Sequence, residues 1–231
     1  MYLSKITIKP DAVKSKEFLQ VAAGPYQIHS MIWDLYSDSR DQKRDFLYRM
    51  DLNQSRPVIY SLSQREPSNL STLWKVETKP YDPQISNGMV LGFTLRANPV
   101  VKKTVPASPG NKAKQSRHDV IMDAKKRLRE ESGKNAGSIS MNELIQQEGF
   151  RWLKSRSERC GFSINEGGVR VDAYTQHNFM QGAKKRKISL STVDYNGILT
   201  VTDKEKFLEA LSKGIGPAKG FGCGLMMIRH I

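Results

Sequence analysis

The stretch Tyr26-Gln27-Ile28-His29-Ser30-Met31-Ile32-Trp33-Asp34-Leu35-Tyr36 decides how the first half of the chain folds. Gly24-Pro25 precedes it, and proline suits a first helical position, where the missing N–H is not needed. At 3.6 residues per turn, Ile28, Met31, Ile32 and Leu35 share one face. Tyr26, His29 and Trp33 lie on a nearly opposite face, and Gln27, Ser30 and Asp34 form a polar strip. The apolar stripe is enough to dock the helix on a core. A tyrosine and a histidine are therefore left one turn apart on a surface that packing does not need, and they are the first candidates for chemistry.

Outward from this helix, Tyr2 to Ile8 alternates apolar and polar residues and reads as a strand. Lys16 to Val21 has the makings of a short helical turn. Phe46 to Met50, Val58 to Leu62, Leu73 to Thr78 and Val90 to Ala97 read as further strands, the last stopped by Asn98-Pro99. The order predicts an α+β architecture, with helices on one face of an antiparallel sheet. Pro106 to Arg117 is rich in Pro, Gly, Ser and Lys and is the natural break. The expected division is a first domain over 1–105, a linker or mobile loop over 106–118, and a second domain over 119–231.

In the second half, Val120 to Glu131 has helical spacing and Gly133 to Ser138 reads as a loop. Ser140 with Glu143 is a capping box for a helix reaching about Arg159, closed by Gly161. Val169 to Tyr174 returns as a strand. Lys187 to Val193 and Ile198 to Val201 flank Asn196-Gly197, a strong hairpin-turn dipeptide. Asp203 caps a helix to about Ser212, and a glycine-rich loop, Gly214 to Gly224, feeds a last strand from Leu225 to Ile228.

Bulk chemistry narrows the function. No apolar run approaches the roughly 20 residues that span a bilayer, and Met1 to Val13 lacks a signal-peptide core, so the default is a cytoplasmic protein. Cys160 and Cys223 are far apart, and His29, His118, His177 and His230 are scattered, so no disulfide framework, resident metal or other cofactor is expected. Lys and Arg number 37 against 23 Asp and Glu, a net charge of +14. Residues 1–99 contribute +3 of this and residues 100–231 contribute +11. That asymmetry points to a polyanion partner, most often nucleic acid. No helix-turn-helix or zinc-finger pattern supports a DNA-binding reading.

Lys184-Lys185-Arg186-Lys187, in a loop between strands, suits a hairpin laid in a nucleic-acid groove. Arg151, Lys154, Arg156 and Arg159 gather within three helical turns, but share no narrow stripe. Gly214, Gly216, Gly220, Gly222 and Gly224, with Lys219 among them, would allow close backbone approach to a phosphate or simply a tight helix-to-strand connection. The loop is neither a Walker A motif nor a dinucleotide fingerprint, because the order of strand and helix around it is reversed. In a basic protein, the Tyr26/His29 pair has what RNA cleavage needs. An imidazole can move the proton of a 2′-OH, a phenol can orient or donate, and a nearby cation can stabilise the phosphorane-like transition state.

MYLSKITI at the start, YQIHSMIWDLY, RDFLYR, LRANP and the terminal GIGPAKGFGCGL resemble the CasE family. These are the CRISPR-associated precursor-crRNA endoribonucleases of type I-E Cascade, within the RAMP superfamily. The resemblance runs from residue 1 to about 225. It implies two tandem ferredoxin-like (RRM-like) domains and metal-independent cleavage at the 3′ base of a CRISPR repeat stem-loop. Attack by the 2′-OH would leave a 2′,3′-cyclic phosphate, and the enzyme would stay on the crRNA hairpin with the other Cascade subunits as partners. The family's catalytic Tyr and His fall on Tyr26 and His29, its glycine-rich loop on Gly214 to Gly224, and its stem-gripping hairpin on about Phe179 to Lys187. The alternative is a non-catalytic RRM-like scaffold that only caps the crRNA.

Overall fold

The computed structural model describes residues 1–14, 25–36, 44–53, 56–68, 70–105, 114–132, 139–181 and 186–231. The turn expected over Lys16 to Val21 and the loop over Gly133 to Ser138 lie outside them. The first sheet holds β1 (Tyr2–Ile8), β2 (Phe46–Asn53), β3 (Arg56–Ser63) and β4 (Trp74–Pro80), in the order β2-β3-β1-β4 with every neighbour antiparallel. Helix α1 (Pro25–Trp33) connects β1 to β2. Its predicted stripe does the docking: Ile28, Ile32 and Leu35 are buried with Ile6, Ile8, Ile59, Phe46 and Trp74, and Met31 packs at the margin. Burial of the three buried side chains contributes roughly 1.5–3 kcal/mol each, which fixes the helix rotation and hence where His29 points.

The second sheet holds β5 (Val90–Ala97), β8 (Phe162–Ser163), β9 (Val169–Gln181), β10 (Arg186–Val201) and β11 (Met226–His230). Its order is β11-β5-β10, with β8 and β9 both on the far side of β10. Between β5 and β8 come a hairpin of β6 (Val100–Val105) with β7 (Lys114–Asp119), then α2 (Val120–Ser132) and α3 (Met141–Ser157). Helix α4 (Lys204–Lys213) connects β10 to β11. The capping box forms at Ser140 and Glu143, Gly161 closes the following single turn in the left-handed region, and Asp203 caps α4. With the hairpin, α2 and the two-residue β8 set aside, this is β-α-β-β-α-β with the first strand in the middle. The first sheet has the same strand order, with no helix among the described residues between β3 and β4. The chain is two tandem ferredoxin-like domains.

Two expectations are corrected. Val90 to Ala97 was expected to close the first domain, yet it is the central strand of the second sheet, paired with Val193 to Thr200 and with Met226 to His230. The change of sheet therefore falls between Pro80 and Val90 rather than at residue 105. Within the expected linker, residues 114–118 belong to β7 and pair with β6, while residues 106–113 lie outside the described part. A strand's own composition specifies its pleat but not its partners, which here lie some hundred residues away.

Asn196-Gly197, expected as a hairpin turn, sits inside one 16-residue strand, Gly197 pairing with Phe93 on one side and Val169 on the other. The glycine serves a close approach instead. A Cβ on Gly197 would stand 2.3 Å from the Gly168 carbonyl oxygen and 2.8 Å from Val169 Cα, both backbone atoms. Gly197→Ala should lower unfolding stability by about 2 kcal/mol, read as a lower urea midpoint at unchanged slope. A midpoint equal to the parent's would mean the Glu166–Gly168 turn has room to move.

Candidate active site

His29 leaves α1 on the side away from the core stripe and is half-buried among aromatic rings. Its ring centroid lies 6.3 Å from that of Tyr48 at a shallow 21°, 5.8 Å from Phe221 and 6.2 Å from Trp33. Trp33 itself leans on Phe46, 5.7 Å away, so it is a packing residue of the first domain. The His29 Nδ1 atom is buried and has no hydrogen-bond partner among the described residues. Burial, and next the positive charge of Arg44, hold His29 below the ordinary histidine range. Its neutral form, the one that accepts a proton, therefore prevails at pH 7.

The glycine-rich loop closes over this histidine from the second domain. Gly214 ends α4, and the Ile215 N–H donates to the Gly224 carbonyl at 2.9 Å. The Gly224 N–H donates to the Arg96 carbonyl of β5 at 2.7 Å, so both ends of the loop are pinned to the second sheet. Gly214 and Gly216 abut Leu47 and Trp152. The loop tip reaches the first domain at Gly220, whose carbonyl accepts a 3.0 Å hydrogen bond from the Tyr48 hydroxyl. Burial pushes the Tyr48 phenol well above its usual range, so it remains a donor. A Cβ on Gly220 would stand 3.0 Å from Arg44 Nη1 and 3.5 Å from His29 Cε1. Glycine is what lets the backbone come this near, and Gly222, at φ +78°, turns the chain away again beneath Phe221.

Two cations lie near this tip. The Lys219 Nζ donates to the Lys213 carbonyl at 2.5 Å, and burial, followed by Arg44, lowers its affinity for its proton. Burial likewise lowers the Arg44 pKa. Arg44 stands beside His29 at Gly220, and its charge also reaches Lys219, whose own ammonium is turned to the Lys213 carbonyl; no carboxylate is among the causes of the three shifts. A guanidinium beside a neutral imidazole is an arrangement that can bind a phosphate and take up a proton next to it.

A model of the CRISPR associated protein family matches residues 1–230. The chain belongs to that family. The Cascade subunit CasE of Escherichia coli K12 is 28% identical over 230 residues, covering 99% of this chain and 98% of its own. The CRISPR-associated endoribonuclease Cse3 of Thermus thermophilus is 26% identical over 249 residues, 99% of each chain. The solved Thermus thermophilus Cse3, bound to an RNA representing a pre-cleavage complex, shares the fold with a TM-score of 0.70 at 24% identity, covering 99% of this chain and 98% of its own. The resemblance drawn from the sequence motifs is to this family.

In this CRISPR-associated protein the predicted site residues separate into groups. His29 and Gly220 come together, while Lys219, next to Gly220 in the chain, turns its ammonium to the Lys213 carbonyl; Tyr26 lies one turn before His29 on α1, and its side chain is outside the described part. Lys187 is exposed on β10, Arg186 is described as strand backbone only, and Lys184 and Lys185 are outside the described residues. The cations of α3 are largely occupied within the fold. The Arg156 guanidinium stacks 4.0 Å over the Trp152 ring and donates to the Trp152 and Val100 carbonyls. Lys154 donates to the Ile164 carbonyl at 2.8 Å, and Arg151 pairs with Glu148. Arg159 is exposed beside Cys160.

Sequence reasoning missed Arg44, Tyr48 and Phe221. Arg44 sits just before β2 in Asp41-Gln42-Lys43-Arg44-Asp45, a run that reads as ordinary solvated surface. Only the sheet order, which lays β2 alongside the incoming loop, gives these residues a role. Among the described residues, no cluster of His, Cys, Asp or Glu could hold a metal, and no helix is long and apolar enough to cross a membrane.

Proposed function

We propose that this chain is a CRISPR endoribonuclease that cleaves precursor crRNA at the 3′ base of the repeat stem-loop and then stays on the hairpin as a Cascade subunit. The observation that carries the reading is the meeting of His29 with Arg44 at the glycine-loop tip, with Lys219 within electrostatic reach of Arg44. Names of relatives agree with it: one is a Cascade subunit and another an endoribonuclease.

In the proposed step the His29 imidazole takes the proton of the 2′-OH. The 2′-oxygen bonds to phosphorus, the bond to the 5′-oxygen breaks, and that oxygen takes up a proton as a 2′,3′-cyclic phosphate is left behind. Tyr26, one helical turn away, orients the histidine or protonates the leaving oxygen. Arg44 and Lys219 offset the charge that builds on the phosphoryl oxygens. Arg186, Lys187 and the neighbouring basic residues hold stem phosphates, giving salt-dependent affinity and register.

Incubating pure protein with end-labelled repeat RNA should give one cut at the stem base, unchanged in EDTA. A 2′-deoxy nucleotide immediately 5′ of that bond should abolish it. Tight hairpin binding with no cut product would establish the non-catalytic scaffold instead, and a strict need for a divalent cation would rule out the histidine mechanism.

A further inference from the structure

Next to His29, on the far side of Phe221, the two domains flank an open pocket of about 220 Å³. Ile28, Tyr48 and Met50 line it from the first domain, and Phe179, Leu190 and Phe221 from the second. Phe221 is the shared wall, its ring 5.8 Å from His29 and 5.1 Å from Phe179. Pockets that take drug-sized molecules run to about 300–1,000 Å³, so this one admits a single flat ring system.

Its walls are apolar and aromatic, while one edge is polar. His177, Thr175, Thr192 and Arg96 lie along that edge, and a His177 ring nitrogen stands 2.9 Å from the Thr192 hydroxyl. Burial, then Arg96, hold His177 below the usual histidine range, so it meets a ligand as a neutral ring with Nδ1, the nitrogen not engaged with Thr192, able to bond it. The backbone is also shaped here. Ala173 and Tyr174 of β9 oppose the single Val193 of β10, a β-bulge, and Ala173 takes φ +51°, a strained value for a residue with a Cβ. Ala173 and Thr175 both line the cavity. Bulges cluster at sites where a strand must re-aim side chains, and strain of this kind persists where function keeps it.

We infer that this interdomain pocket is a nucleobase subsite, which takes the unpaired base of a nucleotide flanking the scissile phosphate against the contacting Phe179 and Phe221 rings, with His177, Thr175 and Thr192 along its polar edge. The inference rests on the endoribonuclease reading and extends it. In-line attack needs the 2′-oxygen, phosphorus and leaving 5′-oxygen nearly collinear, which a stacked A-form strand does not supply. Drawing one base out of the stack into a pocket beside the general base turns the sugar–phosphate toward that alignment.

The test is single-turnover cleavage with each nucleotide flanking the cut made abasic in turn, crossed with Thr175→Phe, which fills the cavity, and His177→Ala, which removes the polar edge. At one flanking position, loss of the base should slow the wild type by about tenfold or more. Thr175→Phe should slow the intact RNA comparably yet add nothing on the abasic RNA, and His177→Ala should behave likewise with a smaller loss. A 2-aminopurine at that position should change fluorescence on binding, and Thr175→Phe should remove the change. Thermal unfolding checks both variants, and His177→Ala carries the test if Thr175→Phe does not fold. The subsite is overturned if no abasic position slows the wild type, or if protein and RNA losses multiply. If the wild type binds the hairpin but leaves it uncut, the endoribonuclease reading falls and the subsite with it.

Discussion

His29→Ala should slow single-turnover cleavage of repeat RNA by about 10²–10⁴-fold while leaving hairpin affinity nearly unchanged. The two effects separate because affinity comes from cations on stem phosphates, whereas His29 is needed only when the 2′-OH proton moves. The pH dependence carries a signature as well. Burial and Arg44 place the His29 pKa below 6.5. The wild-type rate should therefore be level from neutrality upward and fall only as acid protonates the imidazole, with a midpoint below the usual histidine value. A midpoint well above 6.5 would assign the observed proton to another group, and a His29→Ala variant cutting at the wild-type rate would remove His29 from the chemistry.

Arg44→Ala should cost about 10²–10³-fold in the same assay, the scale of losing one positioned donor to a transition-state anion. It should also move the acid limb of the pH profile upward. The Arg44 charge disfavours imidazolium, so removing it lets His29 hold its proton to higher pH. Arg44→Lys should keep the position of the limb but recover only part of the rate, since an ammonium lacks the planar fork that grips two phosphate oxygens. A loss of rate with the limb unmoved would give Arg44 a packing role only.

What was legible in the sequence was local. The α1 stripe, the Ser140/Glu143 capping box, the Asp203 cap and the glycine-rich loop depend on residues within a few positions of one another, and each forms where its pattern places it. His29 stood out because the core stripe left it unused. What was hidden required partners far along the chain. Val90 to Ala97 announces a strand but not its sheet, and Asn196-Gly197 announces a turn that the approach of Gly168 overrides. Arg156 shows a charge in the sequence, yet its guanidinium is spent on Trp152 and the Val100 carbonyl. Arg44, Tyr48 and Phe221 acquire meaning only once two domains are laid together.

The pairing of Tyr48 with Gly220, and of Arg96 with Met50, bears on how such proteins can be recombined. The Arg96 guanidinium forks onto Asp194 at 2.7 Å through two nitrogens, and its remaining nitrogen donates to the Met50 carbonyl at 2.6 Å. Arg49 and Asp51 complete the same set of charges. The seam therefore runs through side chains of β2, and the exchangeable unit is not one ferredoxin-like domain. A chimera that took its hairpin-reading half from a relative would have to import a matching segment 44–51 with it. Breeding new repeat specificities by swapping halves at residue 85 would cut through the very contacts that bring imidazole and loop together.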